Sequence, residues 1–215
     1  ETALRIAAMG GGGSHDFQKY FGIADGEILS ENGNNTVLYT EEVSTLKSWL
    51  PTTDVFFLTN NQPFDQETKD LIFNRVNQGM NLMIYHPGTW YNWQDWPEYN
   101  KLLVGGGSRS HEALQEFEVE IVNPDHPITQ GVPAKFRLVD VSYRWEQDPD
   151  AEIEVLAIGR GLESGEEFPV VWTVKHPNSR IVCNTLGHDD RAHSLPAYKT
   201  LLNNALQWVK PQSEM

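Results

Sequence analysis

Three of the seven histidines stand directly after apolar runs that read as buried strands. His15 follows "LRIAAMGGGGS", His86 closes "NLMIY" and His188 follows "RIVCNTLG". In an open parallel sheet, ligands bind outside the carboxyl ends of the strands, so residues at three such ends converge on one rim. Imidazoles gathered there suit a divalent metal such as zinc, manganese or nickel, with one coordination position left for water or substrate. The same residues also permit metal-free chemistry, with His188 and Asp189 as an acid–base pair, because imidazole titrates near neutral pH. In the metal version Asp189 orients a histidine or acts as base. His111, after the glycine-rich "GGGSRS", is a further candidate for the rim. His126 in "NPDHPITQG" and His176 in "KHPNS" sit among turn-forming residues and are expected to serve those turns. His193 is assigned no function.

The four glycines before His15 raise a phosphate-loop reading, which fails because the Lys-Ser/Thr pair is absent after them. A dinucleotide fingerprint lacks its third glycine, where Ser14 to Asp16 stand, so no nucleotide or flavin is expected. The glycines are instead expected to turn the chain sharply and set His15 and Asp16 at the mouth of a pocket. The segment "TWYNWQDWPEY" carries three tryptophans and two tyrosines. Aromatic faces suit the C–H faces of a sugar ring, and Trp90 is a candidate for that contact. Trp93 and Trp96 are expected to cover the sheet or a subunit contact, so a homo-oligomer is also expected.

The elements that must position these residues follow from hydrophobic patterning. Residues 4–9, 35–40, 54–59 and 81–86 read as strands, with a short helix ended by Pro51 and a longer one running from an Asp65 cap to Gly79. Strands alternating with helices predict a parallel sheet flanked by helices. Residues 116–122, 135–143, 152–159, 168–174 and 179–187 are strands with little helix between them, and 196–209 is a closing amphipathic helix. The fold expected is a single α/β domain over residues 1–215, with a β-rich insertion before its last strand and helix.

Composition narrows the partners. The 16 basic and 30 acidic residues give a net charge of −14, which repels nucleic acid and anionic membrane, whereas a neutral sugar meets no such barrier. No apolar run approaches the roughly 20 residues of a spanning helix. The single cysteine, Cys183, lies in an apolar strand and reads as a small buried hydrophobe. The chain starts at Glu1 without methionine, so a processed exported form stays open beside the cytoplasmic one that is expected.

The segments "GGGSHD", "IYHPG", "LLVGGGSRSH", "NPDHPITQGVP", "FRLVDVSY" and "NTLGHDDRAHSLPAYKTLLNNALQW" together resemble the ThuA family, in the family's order over nearly the whole chain. The resemblance implies a flavodoxin-type, class I glutamine-amidotransferase-like fold. It also implies carbohydrate catabolism beside a dehydrogenase that makes 3-keto derivatives of disaccharides. Class I amidotransferases carry cysteine on the turn where this chain has His86, so thiol acyl transfer from that position is excluded. The family commonly has Asp-Glu before its tyrosine, and this chain keeps Asp140 and Tyr143 but has Val141 between them. Asp140 and Tyr143 are therefore candidate substrate contacts, Tyr143 as a donor to a sugar oxygen, and Val141 puts activity in question. The expectation is an enzyme acting on a keto-disaccharide or glycoside, set against a sugar-binding module without chemistry.

Overall fold

A computed structural model describes residues 3–211. The apolar runs become strands β1 (Arg5–Met9), β2 (Thr36–Thr40), β3 (Val55–Leu58), β4 (Asn81–Tyr85) and, late in the chain, β11 (Ile181–Asn184). These five lie parallel in the order β2-β1-β3-β4-β11. Side chains alternate between two cores, as the period of two in a strand requires. Ile6, Ala8, Val55, Phe57, Met83 and Val182 pack on one face of the sheet. Ala7, Met9, Phe56, Leu58, Leu82, Ile84 and Cys183 pack on the other. Both faces are covered, which is why the strands read as unbroken apolar runs rather than alternating ones.

Helices α1 (Gly26–Leu29) and α5 (Pro196–Val209) cover the first face, with a π-helical segment Gln18–Asp25 leading into α1. Helices α2 (Val43–Trp49) and α3 (Gln66–Asn77) cover the second. The Asp65 carboxylate caps α3 by accepting from Thr68 N at 2.8 Å, as its position before the apolar period predicts. Trp93 and Trp96 are buried in this second core against Phe64 and Phe73, so both rings are used inside the chain.

The β-rich half continues the same sheet. Strands β10 (Glu167–Val174), β9 (Ile153–Gly161), β6 (Gln115–Ile121) and β7 (Lys135–Asp140) extend it beyond β11 with antiparallel pairing. The run 135–143, expected as one strand, splits. β7 ends at Asp140, and β8 (Tyr143–Gln147) leaves the sheet to pair with β5 (Gly106–His111). This break at Val141–Ser142 sends Asp140 into the protein and Tyr143 toward the strand ends. The expected strand 179–187 is shorter, because the chain leaves β11 after Asn184 and turns through Gly187 at φ 127° into the short helix α4 (Asp190–His193). Among the described residues no helix is long and apolar enough to cross a membrane.

Candidate functional site

Each of the three histidines is set by its own loop. Gly11 and Gly12 have φ of 100° and 116°, a region that disfavours side chains, and a Cβ at Gly12 would collide with the Asn61 amide. That amide accepts from Gly13 N at 2.9 Å and donates to Gly13 O at 3.0 Å, while Gln62 Nε2 donates to Gly10 O at 3.0 Å. The glycine loop thus moulds itself onto the Asn61–Gln62 turn after β3, and this seating delivers His15. Asp16 turns away to accept from Lys19 N at 3.1 Å and opens the π-helical segment. His86 follows β4 directly with φ 39°, a left-handed conformation that is uncommon outside glycine and clusters at functional sites. Its Nδ1–H donates to the Thr185 carbonyl at 2.5 Å, leaving Nε2 as the lone-pair nitrogen.

The structure brings His15, His86 and His188 together. One ring nitrogen from each lies within 4.8 Å of the others. His15 makes edge contacts with His86 and His188, centroids 5.0 and 5.1 Å away. Nδ1 of His15, Nε2 of His86 and Nδ1 of His188 are buried with no hydrogen-bond partner. Buried nitrogens without partners are rare and costly, and three in one cluster fit an ion-binding set.

Electrostatics favour the same use. Burial, then His188, lowers His15 to about 4. Burial, then His15, holds His86 well below its usual value, and burial lowers His188. All three are neutral at pH 7 with lone pairs available, which is the protonation state a metal ligand needs.

Tyr143 closes one side of the cluster. Its ring stacks on His86 with centroids 4.1 Å apart, and its hydroxyl lies 3.5 Å from His15 Nε2. Trp90 meets Tyr143 edge-on at 5.5 Å and His111 at 6.0 Å. A cavity of about 390 Å³ opens over the histidines, walled by Trp90, His111, Val141 and Tyr143, with Asn61 and Asn92 adding amide groups that sequence reasoning missed. Val141 therefore stands where an acidic residue would face the imidazoles.

Asp140 and Asp189 hold other positions than those expected for a substrate contact or a base. The Asp140 carboxylate is fully buried and accepts from Val141 N, Gly187 N and His188 N at 2.8, 2.9 and 3.0 Å. Burial raises it to about 6 against these three donors. It fixes the loop that carries His188. The Asp189 carboxylate caps α4 through Arg191 N and pairs with the Arg191 guanidinium at 2.5 Å, which holds it below the usual range.

A second clamp was invisible in the sequence. His193, 2% exposed, donates through Nε2 to the Gly187 carbonyl at 2.8 Å and through Nδ1 to Asp25 at 2.7 Å. Asp25 also accepts from the Tyr198 hydroxyl at 2.7 Å. Both imidazole nitrogens face oxygens, which favours the charged ring, while burial raises the Asp25 carboxyl above its usual value. Burial opposes that charge, but Asp25 outweighs it and raises His193 above its usual value. Gly187 is thereby held at N–H by Asp140 and at C=O by His193, and His188 follows it. His126 and His176 serve turns as expected, accepting from Ile128 N and Asn178 N. Cys183 is fully buried in β11, and burial pushes its thiol up.

A mixed sheet whose parallel half carries a strained residue directly after β4 and a polar rim at its carboxyl ends has the fold of class I glutamine-amidotransferase-like domains. The CTPS glutaminase domain of Trypanosoma brucei, solved with acivicin bound, superimposes with a TM-score of 0.55 at 15% identity, covering 98% of this chain and 96% of that one. Two crystal structures described as ThuA-like are more similar. The protein from Parabacteroides merdae gives a TM-score of 0.78 at 20% identity, covering 99% of this chain and 93% of that one. The protein from Bacteroides uniformis gives 0.80 at 21%, covering 96% and 91%. No curated protein matches the chain. The chain belongs to the ThuA family, described as trehalose utilisation, whose model matches residues 13–209. Membership gives the protein a role in carbohydrate metabolism.

Proposed function

We propose that the protein is an enzyme that cleaves the glycosidic bond of a disaccharide or its keto derivative, at a centre built on His15, His86 and His188. One observation carries this reading: three separate strand ends deliver three neutral imidazoles, His86 buried and His15 and His188 half-buried, each offering a ring nitrogen within 4.8 Å of the others beside a sugar-sized cavity. These imidazoles would hold a divalent ion, and zinc, manganese or nickel are the candidates. When bound, such an ion polarises a carbonyl or hydroxyl oxygen and lowers the pKa of bound water.

The remaining work falls to the chain's own residues. His86 is locked in one tautomer by Thr185, and Tyr143 stacks over it, so the ring cannot swing out. Trp90 offers a ring face to a pyranose, and the Tyr143 hydroxyl is placed to donate to a sugar oxygen. Asn61 and Asn92 supply amide contacts to hydroxyls along the cavity wall. His111 is exposed at the rim, where Nδ1 donates to the Glu112 carbonyl and the ring meets Trp90.

A second reading, a sugar-binding module without chemistry, is favoured by Val141, since the cavity wall has an apolar group where the family commonly has a carboxylate. Incubation with 3-ketotrehalose and product analysis separates the two. Conversion lost in His188→Ala supports the enzyme; binding without conversion supports the module.

A further inference from the structure

Among the described residues, four that are not glycine hold a left-handed φ: Ser14 at 75°, Glu31 at 48°, Asn32 at 59° and His86 at 39°. The conformation is unfavourable for any residue with a Cβ and persists only where the surroundings impose it. Three of the four are accounted for. Asn32 and His86 are types that tolerate the region, and His86 supplies an imidazole to the centre. Glu31 carries a carboxylate that pairs with Lys210 at 2.9 Å. Ser14 differs from all three. Serine has no particular tolerance for the region, and its hydroxyl makes no hydrogen bond among the described residues.

The residue before it sharpens the contrast. Gly13 has no left-handed φ, and a Cβ at that position would meet nothing within 4 Å, so a side chain would fit there without strain. The chain instead carries glycine where a side chain is harmless and serine one residue later, where glycine would be the more stable choice. The conformation at Ser14 is held from both sides. Asn61 accepts from Gly13 N at 2.9 Å and donates to Gly13 O at 3.0 Å, and the His15 ring is fixed against Phe17, His86 and His188. Ser14 does not serve the helical segment that follows, because Asp16 takes the Lys19 N–H there. What position 14 reaches is the cavity over the imidazoles: Ser14 is exposed, lines that cavity and stands next to His15.

We propose that Ser14 is a substrate-contacting residue of the histidine cavity, its hydroxyl hydrogen-bonding an oxygen of the ligand held over the imidazoles, and that the left-handed backbone is what places it there. The inference rests on the enzyme reading of that cavity and adds a residue to it. A hydroxyl both donates and accepts, so it suits a hydroxyl or carbonyl oxygen of a neutral ligand. Turnover of 3-ketotrehalose and thermal unfolding, measured on wild type, Ser14→Gly and Ser14→Ala, test it. Ser14→Gly should raise the melting temperature by about 1–4 °C, because relief of the left-handed backbone outweighs the entropy that glycine adds to the unfolded chain. The same variant should lower kcat/KM by about three- to tenfold, the size of one neutral hydrogen bond. Ser14→Ala removes the hydroxyl but keeps the strain, so it should match the loss of turnover without the gain in stability. A merely structural serine would not give a substitution that stabilises the fold and weakens turnover together.

Full turnover in Ser14→Gly, with His188→Ala inactive, would overturn the contact while leaving the histidine site standing. A Ser14→Gly chain no more stable than wild type would equally overturn it, since no strain would then be maintained at that position. If wild type binds 3-ketotrehalose without converting it, the enzyme reading falls and calorimetry decides Ser14: both variants must bind the sugar about three- to tenfold more weakly, or the contact falls too. If the sugar does not bind at all, both fall together.

Discussion

Replacing Asp25 by asparagine should act on His188 from across the protein. Asp25 and His193 are 0% and 2% exposed, and the imidazole spends one proton on Asp25 and the other on the Gly187 carbonyl. Asparagine keeps the shape and can still accept from Nδ1–H, with Tyr198 turning its hydroxyl to accept from the amide. The negative charge is gone, however, and burial then favours neutral His193. With its amide turned, asparagine donates to Nδ1 and accepts from Tyr198, while neutral His193 keeps Nε2–H on the Gly187 carbonyl, so charge-assisted bonds become neutral ones rather than being lost. Trading charge-assisted hydrogen bonds for neutral ones costs about 1–3 kcal/mol, below the about 3–5 kcal/mol expected when one partner of a buried ion pair is removed outright, as in His193→Ala. At about 2–4 °C per kcal/mol for a chain of this length, Asp25→Asn should lower the melting temperature by several degrees. The pH dependence carries a sign. His193 has a raised folded pKa, so its contribution is complete below its unfolded value of 6.5 and fades as pH rises through the folded value. The gap between wild type and variant should therefore narrow at alkaline pH. Because the His193 bond to the Gly187 carbonyl is weakened, ion affinity at the three histidines should fall about tenfold, the lower end of what is seen when partners behind a metal ligand are lost. Thermal unfolding from pH 6 to 9, with an ion titration at pH 7, measures both. A variant as stable as wild type at pH 6, with unchanged ion affinity, would refute the clamp.

The apo protein should lose stability as pH falls from 6.5 to about 4, because His15, His86 and His188 stay neutral in the fold while the unfolded chain binds protons. His15 alone accounts for up to about 3 kcal/mol at 1.36 kcal/mol per pKa unit, and an apo unfolding series that is flat over this range would contradict the burial argument. For the same reason, ion binding at pH 7 should release no protons, so its heat should not change between buffers of different ionisation enthalpy. Val141→Glu places a carboxylate on the cavity wall beside the imidazoles and should raise divalent-ion affinity at least about tenfold; no gain would mean that position 141 does not reach the centre.

The parallel half of the sheet was legible because strands covered on both faces must be continuously apolar, and "LRIAAM" and "RIVCNTL" have no other soluble use. The three site histidines were legible for a related reason: a parallel sheet puts its ligands at carboxyl ends, and each histidine followed one. Asp25 was not. It sits in a π-helical segment whose period matches no simple amphipathic pattern, and a carboxylate between alanine and glycine reads as solvent-facing although it is fully buried. Its partner His193 lies 168 residues away, and no local signal joins them. Asp140 was found as a residue, but its three backbone N–H partners were not, because a carboxylate that binds them has the same sequence signature as one that binds substrate. The split of "KFRLVDVSY" was hidden as well. β8 is drawn out of the sheet by pairing with the glycine-rich β5, a segment whose composition argues against a strand.

The metal content of untagged protein, before and after dialysis against a chelator and beside the His188→Ala variant, tests the central claim most directly. The account predicts about one equivalent of zinc, manganese or nickel in the native protein, removed by the chelator, restored by re-addition and absent from the variant. Protein that holds no divalent ion at neutral pH, even after incubation with excess of each, would contradict a three-imidazole metal centre.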